Sequence, residues 1–224
     1  MTGVQTCALP ILNTGIFVKT LRKDTHSKAG EWYADWIQSH FIFTQSVLRG
    51  LITITNGCSR LFGNSFLYTI SKVLNKASNH SVPIWNEHLS SSPLCLSPLK
   101  FKKDIEFIYY PACVGRVLSA NKDKESLSQA LIDLCEFSNI QLFIPEKLNE
   151  TCCGMAFCSK GYSKAGKSMT EQTIDLLYEA SENGKIPIVI DTTPCSLHLL
   201  EAGTHLDNHF QEKWNHLKFI DILL

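Results

Sequence analysis

The chain has 224 residues, enough for one or two domains with a core of their own. Its 21 Lys and Arg balance 21 Asp and Glu, so no net field draws it to nucleic acid or to an anionic membrane. Nine cysteines in an otherwise average composition leave two classes open, a secreted disulfide framework or a metal site in a reduced compartment. The first residues carry no basic region, and the apolar run at 8–12 is interrupted by Pro10, which argues against a secretory signal and for a cytoplasmic setting.

Residues 1–11, from Met1 to Ile11, resemble the conceptual translation of a sequencing adapter. On that reading Cys7 is not a biological cysteine and the biological sequence starts near Leu12; the alternative is a genuine flexible start. Residues 12–81 are predicted to be helical. Trp32, Tyr33, Trp36, Ile37, Phe41, Val47, Leu48 and Leu51 recur at spacings near three and four. A break is expected near Asn56-Gly57, with a second helix over about 61–77. The apolar stretch 41–55 contains Gln45 and Arg49, and it is too short and polar to span a bilayer. Residues 82–104 read as a Ser-, Asn- and Pro-rich linker ending in Lys100, Lys102 and Lys103.

From residue 105 the pattern changes to alternating strands and helices. Strands are predicted at 105–110, 140–144 and 186–190, and helices at 123–137, 163–183 and 196–202, with Gly184 as a helix C-cap. Such alternation predicts an α/β fold with a mainly parallel sheet, following a helical N-terminal segment. Right-handed crossovers place the carboxyl ends of the strands on one edge.

Cys113 follows the first strand, Cys152 and Cys153 the second, and Cys195 the third. All four should therefore gather at the carboxyl edge, where open α/β sheets bind ligands. Four thiolates suit either an iron–sulfur cluster or a structural zinc ion. The chain lacks the paired Cys-x-x-Cys knuckles common in zinc sites, and adjacent cysteines pointing different ways favour a cluster. Cys135 reads as a core thiol and Cys158 as structural, while Cys58 and Cys95 have no partner at metal spacing. Arg116 and Lys160 are either countercharges to an anionic centre or surface residues, and His198 reads as an ordinary helix histidine.

The segments Tyr109-Tyr110-Pro111-Ala112-Cys113-Val114-Gly115-Arg116, Cys152-Cys153-Gly154-Met155-Ala156-Phe157, Ser159-Lys160-Gly161-Tyr162 and Asp191-Thr192-Thr193-Pro194-Cys195 resemble the cysteine-rich CCG domain. That domain occurs in heterodisulfide reductases, in the iron–sulfur component of glycolate oxidase and in bacterial D-lactate dehydrogenases that carry FAD and iron–sulfur clusters. Ser159-Lys160-Gly161 together with the Asp191–Cys195 segment is most similar to the last group, and Asn13-Thr14-Gly15 resembles the stretch that follows its ferredoxin-type cysteines. The resemblance implies that residues 105–204 form one CCG domain and that Cys113, Cys152, Cys153 and Cys195 ligate a cluster of the 4Fe-4S type. It also implies that FAD, ferredoxin-type clusters and a second CCG repeat lie in missing parts of the parent polypeptide, the repeat being approached through residues 205–224, with a connecting helix expected at 219–224. The implied activity is oxidation of a D-2-hydroxy acid, D-lactate above all, with electrons passed to a quinone or cytochrome, in the cytoplasm or at the inner face of the plasma membrane. The fragment alone should not turn over substrate. Thr192 departs from the family, whose members often place a further cysteine there.

A phosphate-loop pattern also occurs, from Gly161 through Gly166 and Lys167 to Ser168. A phosphate loop must leave a buried strand, and residues 152–160 do not read as one. Ile188-Val189-Ile190-Asp191 resembles the acidic strand end that would accompany such a loop.

Overall fold

β-branched and aromatic side chains build the sheet. Phe107–Tyr110 forms strand β2 and Ile188–Ile190 forms β5, both rich in residues that pack well on a pleated surface. Consecutive residues Ile108, Tyr109 and Tyr110 are all buried, which requires that both faces of the sheet be covered. The computed structural model describes residues 14–80, 82–91, 105–119 and 126–222. Residues 1–11, Cys7, Cys95 and the lysines at 100, 102 and 103 lie outside them.

Four helices come first: α1 (Thr14–Asp24), α2 (Lys28–Ser39), α3 (Phe41–Phe62) and α4 (Asn64–Ala77). Ser27 caps α2 by accepting from the Gly30 amide, which satisfies one of the free N–H groups at the helix start. The expected break at Asn56-Gly57 does not occur. Helix α3 runs through it, because Asn56 is buried on the inner face and Gly57 meets no crowding, and the turn falls at Gly63. Gly63 has φ +84°, a left-handed conformation that stops the helix and that glycine adopts without a Cβ penalty.

In the linker region, β1 (Ser90–Ser91) pairs antiparallel with β3 (Leu118–Ser119). The main sheet has the order β4-β2-β5-β6, where β4 is Leu142–Phe143 and β6 is Phe219–Asp221. Every pairing in it is parallel, as the alternating pattern predicts. Between the strands run α5 (Cys113–Val117), α6 (Leu127–Phe137), a 3-10 turn at Glu146–Glu150, α7 (Met155–Lys160), α8 (Ser163–Ala180), α9 (Thr193–Leu200), a second 3-10 turn at Ala202–His205 and α10 (Asn208–His216). Helix α8 buries Ala165, Gly166, Met169, Thr170, Thr173, Ile174 and Leu177, one face at helical period. Ser181 ends it, and Glu182, Asn183 and Gly184 then take left-handed conformations, so the helix is shorter than the expected 163–183.

Two further elements differ from the sequence reading. The last helix before residue 204 begins at Thr193, three residues earlier than expected, because Pro194 tolerates the first turn of a helix, where its missing N–H is no loss. Residues 219–221, where a connecting helix is expected, instead form β6. The short apolar segment pairs with β5 in register Ile190↔Asp221 and adds an outer strand to the sheet.

Candidate thiol centre

The parallel topology carries the cysteines to one end of the sheet. Cys113 opens α5 just after β2, and Cys195 lies in the first turn of α9 after β5. Cys152 and Cys153 lie between the Glu146–Glu150 turn and α7. The structure brings all four together. Cys113 Sγ lies 3.4 Å from Cys152 Sγ, and Cys152, Cys153 and Cys195 are close enough to act on one another electrostatically. Among the described residues, no three His, Cys, Asp or Glu side chains are placed as the ligands of a metal ion.

Cys152 is 1% exposed and Cys153 2%. The hydrogen bond it gives to Cys152, then burial, holds the Cys113 thiol far above its ordinary range, with Arg116 opposing. Cys152 accepts from Cys113, which favours its thiolate, but the contact with Cys153 and burial prevail and push it up to about 12. Cys153 likewise gains from Cys152 and is raised by Cys195 and burial. Without a cation these groups are therefore neutral thiols at neutral pH. The backbone nonetheless favours anionic sulfur, since the amides of Val114, Gly154 and Met155 act to lower the Cys113, Cys152 and Cys153 thiols. Gly154 makes this possible, since at φ +88° a Cβ there would run into the Gly166 carbonyl and the Thr170 hydroxyl.

Polar clamps fix the loops. Asp191, buried at the end of β5, accepts from the Tyr109 hydroxyl (2.8 Å), the Ala112 amide (2.9 Å) and the Thr192 hydroxyl (2.9 Å). It ties the loop carrying Cys113 to the loop carrying Cys195, and Thr192 serves that clamp. Thr170 and Thr173 donate to the carbonyls of Cys153 and Cys152 at 2.9 and 2.8 Å, holding the double cysteine on α8. Arg116 is buried and donates to the carbonyls of Leu148 and Thr151, just before Cys152. Arg49 on α3 donates to the Arg116 carbonyl at 3.0 Å, and Gln45 donates to that of Asn149, so the helical segment backs the same two loops.

The remaining candidates separate clearly. Lys160 is exposed, which leaves Arg116 as the buried cation. Cys135 packs against the core, and Cys158 lies over Gly166 in the contact between α7 and α8. His198 meets Thr170 at 3.2 Å. The phosphate-loop residues form no such loop: Gly161 ends α7, Gly166 lies inside α8, and Lys167 is paired with Asp207 and Glu171. Sequence reading missed the Asp191 clamp. Its signal was an acidic residue at a strand end, four positions before Cys195.

Buried thiols meeting at the carboxyl edge of a parallel sheet define a module suited to a metal or an iron–sulfur group. Residues 107–200 match the family model of the CCG cysteine-rich domain. No curated protein and no solved structure matches the chain.

Proposed function

We propose that this chain is the electron-transfer segment of an FAD- and iron–sulfur-dependent oxidoreductase, with Cys113, Cys152, Cys153 and Cys195 as the ligands of a 4Fe-4S-type cluster. The observation that carries the reading is the contact of Cys113 with Cys152, beside the buried Cys153 and Cys195 at the carboxyl edge of the sheet and flanked by the buried Arg116. Four cysteines, two of them adjacent in sequence, suit several iron atoms better than one tetrahedral zinc. Such a cluster supplies one-electron storage when bound. The protein's part is to keep water from the sulfurs, to hold both loops through Asp191, Thr170 and Thr173, and to offset negative charge with Arg116.

The resemblance of the cysteine segments extends the reading to a D-2-hydroxy acid substrate, D-lactate foremost, oxidised at FAD in another part of the parent chain. Residues 12–81 would follow a ferredoxin-type domain, 82–104 would link to the CCG domain at 105–204, and 205–224 would lead toward a second repeat. The acceptor would be a quinone or cytochrome, in the cytoplasm or at the inner membrane face. Among the described residues no helix is long and apolar enough to cross a membrane. Anaerobic reconstitution with iron and sulfide, followed by metal and sulfide analysis and visible spectroscopy, tests the reading. A brown protein with several irons is expected; a colourless protein holding one zinc overturns it in favour of a docking module.

A further inference from the structure

Buried polar atoms without partners are costly, at about 1–3 kcal/mol each, and few are kept without a reason. Besides Ser196 Oγ, next to Cys195, two belong to the strand and helix on either side of Cys113. The Tyr110 hydroxyl is 0% exposed and makes no hydrogen bond of ordinary length. The Thr173 hydroxyl is the polar group within its reach, and the proton of that hydroxyl goes to the Cys152 carbonyl. Tyr109, on the opposite face of the same strand, shows the contrast, since its hydroxyl is held by Asp191. A phenylalanine at 110 would fill the same volume without the cost.

Arg116 is the second. It is 5% exposed, uses two nitrogens on the carbonyls of Leu148 and Thr151, and leaves Nε unpartnered. Among the described residues it meets no carboxylate, and its guanidinium lies 5.9 Å from the Tyr110 ring. A buried cation with no anion is unfavourable. Neutral thiols do not supply one; four thiolates around a metal centre do. Arg116 acts electrostatically on Cys113 and on Tyr110, and Cys152 and Cys153 act on Tyr110.

We propose that Tyr110 and Arg116 are positioning residues for the sulfur centre, the Tyr110 hydroxyl a hydrogen-bond donor kept for a sulfur of the loaded site and Arg116 its fixed countercharge. The proposal rests on the metal–thiolate reading above. Groups that touch ligands rather than the metal commonly change affinity by about 10- to 100-fold, and hydrogen bonds and charge near the sulfurs set the potential.

The test uses the full chain, as wild type, Tyr110→Phe, Arg116→Met and Arg116→Lys. Thermal unfolding of the metal-free proteins, Cd²⁺ affinity by chelator competition and the reduction potential of the reconstituted cluster are measured. Tyr110→Phe should leave the metal-free protein at least as stable as wild type, yet bind Cd²⁺ about 10-fold more weakly and shift the potential downward. A tyrosine with only a structural role gives the reverse, a less stable metal-free protein with unchanged binding and potential, and that result overturns the proposal. Arg116→Met should lower the potential further and Arg116→Lys restore most of it; equal potentials in all three overturn the countercharge. Should Arg116→Met fail to fold, the Arg116→Lys and Tyr110→Phe measurements still decide. A wild type that takes up neither Cd²⁺ nor iron and sulfide refutes the metal–thiolate reading itself, an outcome distinct from variants that bind like wild type.

Discussion

The two halves of this chain place their hydrophobic residues in opposite ways. In the α/β part, Ile108, Ile174, Leu177, Ile188 and Ile190 are fully buried. In α3 the buried residues are Gln45 and Asn56, while Ile42, Phe43, Val47, Leu48, Leu51 and Ile54 are exposed, as is Leu61 at 80%. The α/β unit is held by burial of apolar surface. The helical segment is attached by directional polar contacts: Gln45 and Arg49 to the cysteine loops, Arg22 and His26 to the carbonyls of Ser159 and Lys160, and His26 stacked on Tyr162 at 4.1 Å. One region makes the platform and the other grips it.

Truncation should expose the difference most strongly. Ile190→Ala is expected to cost about 2–5 kcal/mol, from lost transfer energy and a cavity that collapses only in part. Leu61→Ala should stay within about 0.5 kcal/mol. Urea unfolding of both variants measures this, and equal losses would break the contrast. Acid comes next. Burial, with Lys19 and His205 nearby, pushes His198 down to about 4 from an unfolded value of 6.5. Between those values the unfolded chain binds the extra proton, so stability falls as pH falls through the window, by on the order of 3 kcal/mol in full. Unfolding midpoints from pH 7 to pH 4 should flatten in His198→Asn.

Smaller effects test the grips. Asp191→Ala leaves the Tyr109 hydroxyl and the Ala112 amide without their acceptor, at about 1–3 kcal/mol each, and should loosen Cd²⁺ binding through the Cys113 loop. Gln45→Ala removes one polar contact of α3, at about 1 kcal/mol; calorimetry would show whether polar contacts or exposed apolar residues fix the helices. Lys167→Ala should change neither melting temperature nor nucleotide binding, because its ammonium is solvated and paired with Asp207. ATP binding by wild type and its loss in the variant would revive the phosphate-loop motif.

The sheet was legible because Phe107-Ile-Tyr-Tyr and Ile188-Val-Ile are short, β-favouring runs separated by helical patterns. The helix break was misread because Asn56-Gly57 carries a turn signal, yet both residues stay within the helix and Gly63 carries the left-handed turn. Strand β6 escaped notice because three residues give too little alternation to read, and their pairing depends on β5. The four cysteines were legible from their place after strands. The Asp191 clamp and the unpartnered groups of Tyr110 and Arg116 were not, since each depends on contacts between residues tens of positions apart.

The Asp191 clamp also sets an order of events in time. Ala112 and Asp191 are 79 residues apart, and the Ala112 amide waits for that carboxylate. At roughly 5–20 residues per second, the segment with Cys113 is synthesised about 4–16 s before Asp191 is made. During that interval β2 lacks its central neighbour β5, and Cys113 and the double cysteine have no Cys195 to meet. The four thiols therefore come together only once the β5 segment and Cys195 have followed.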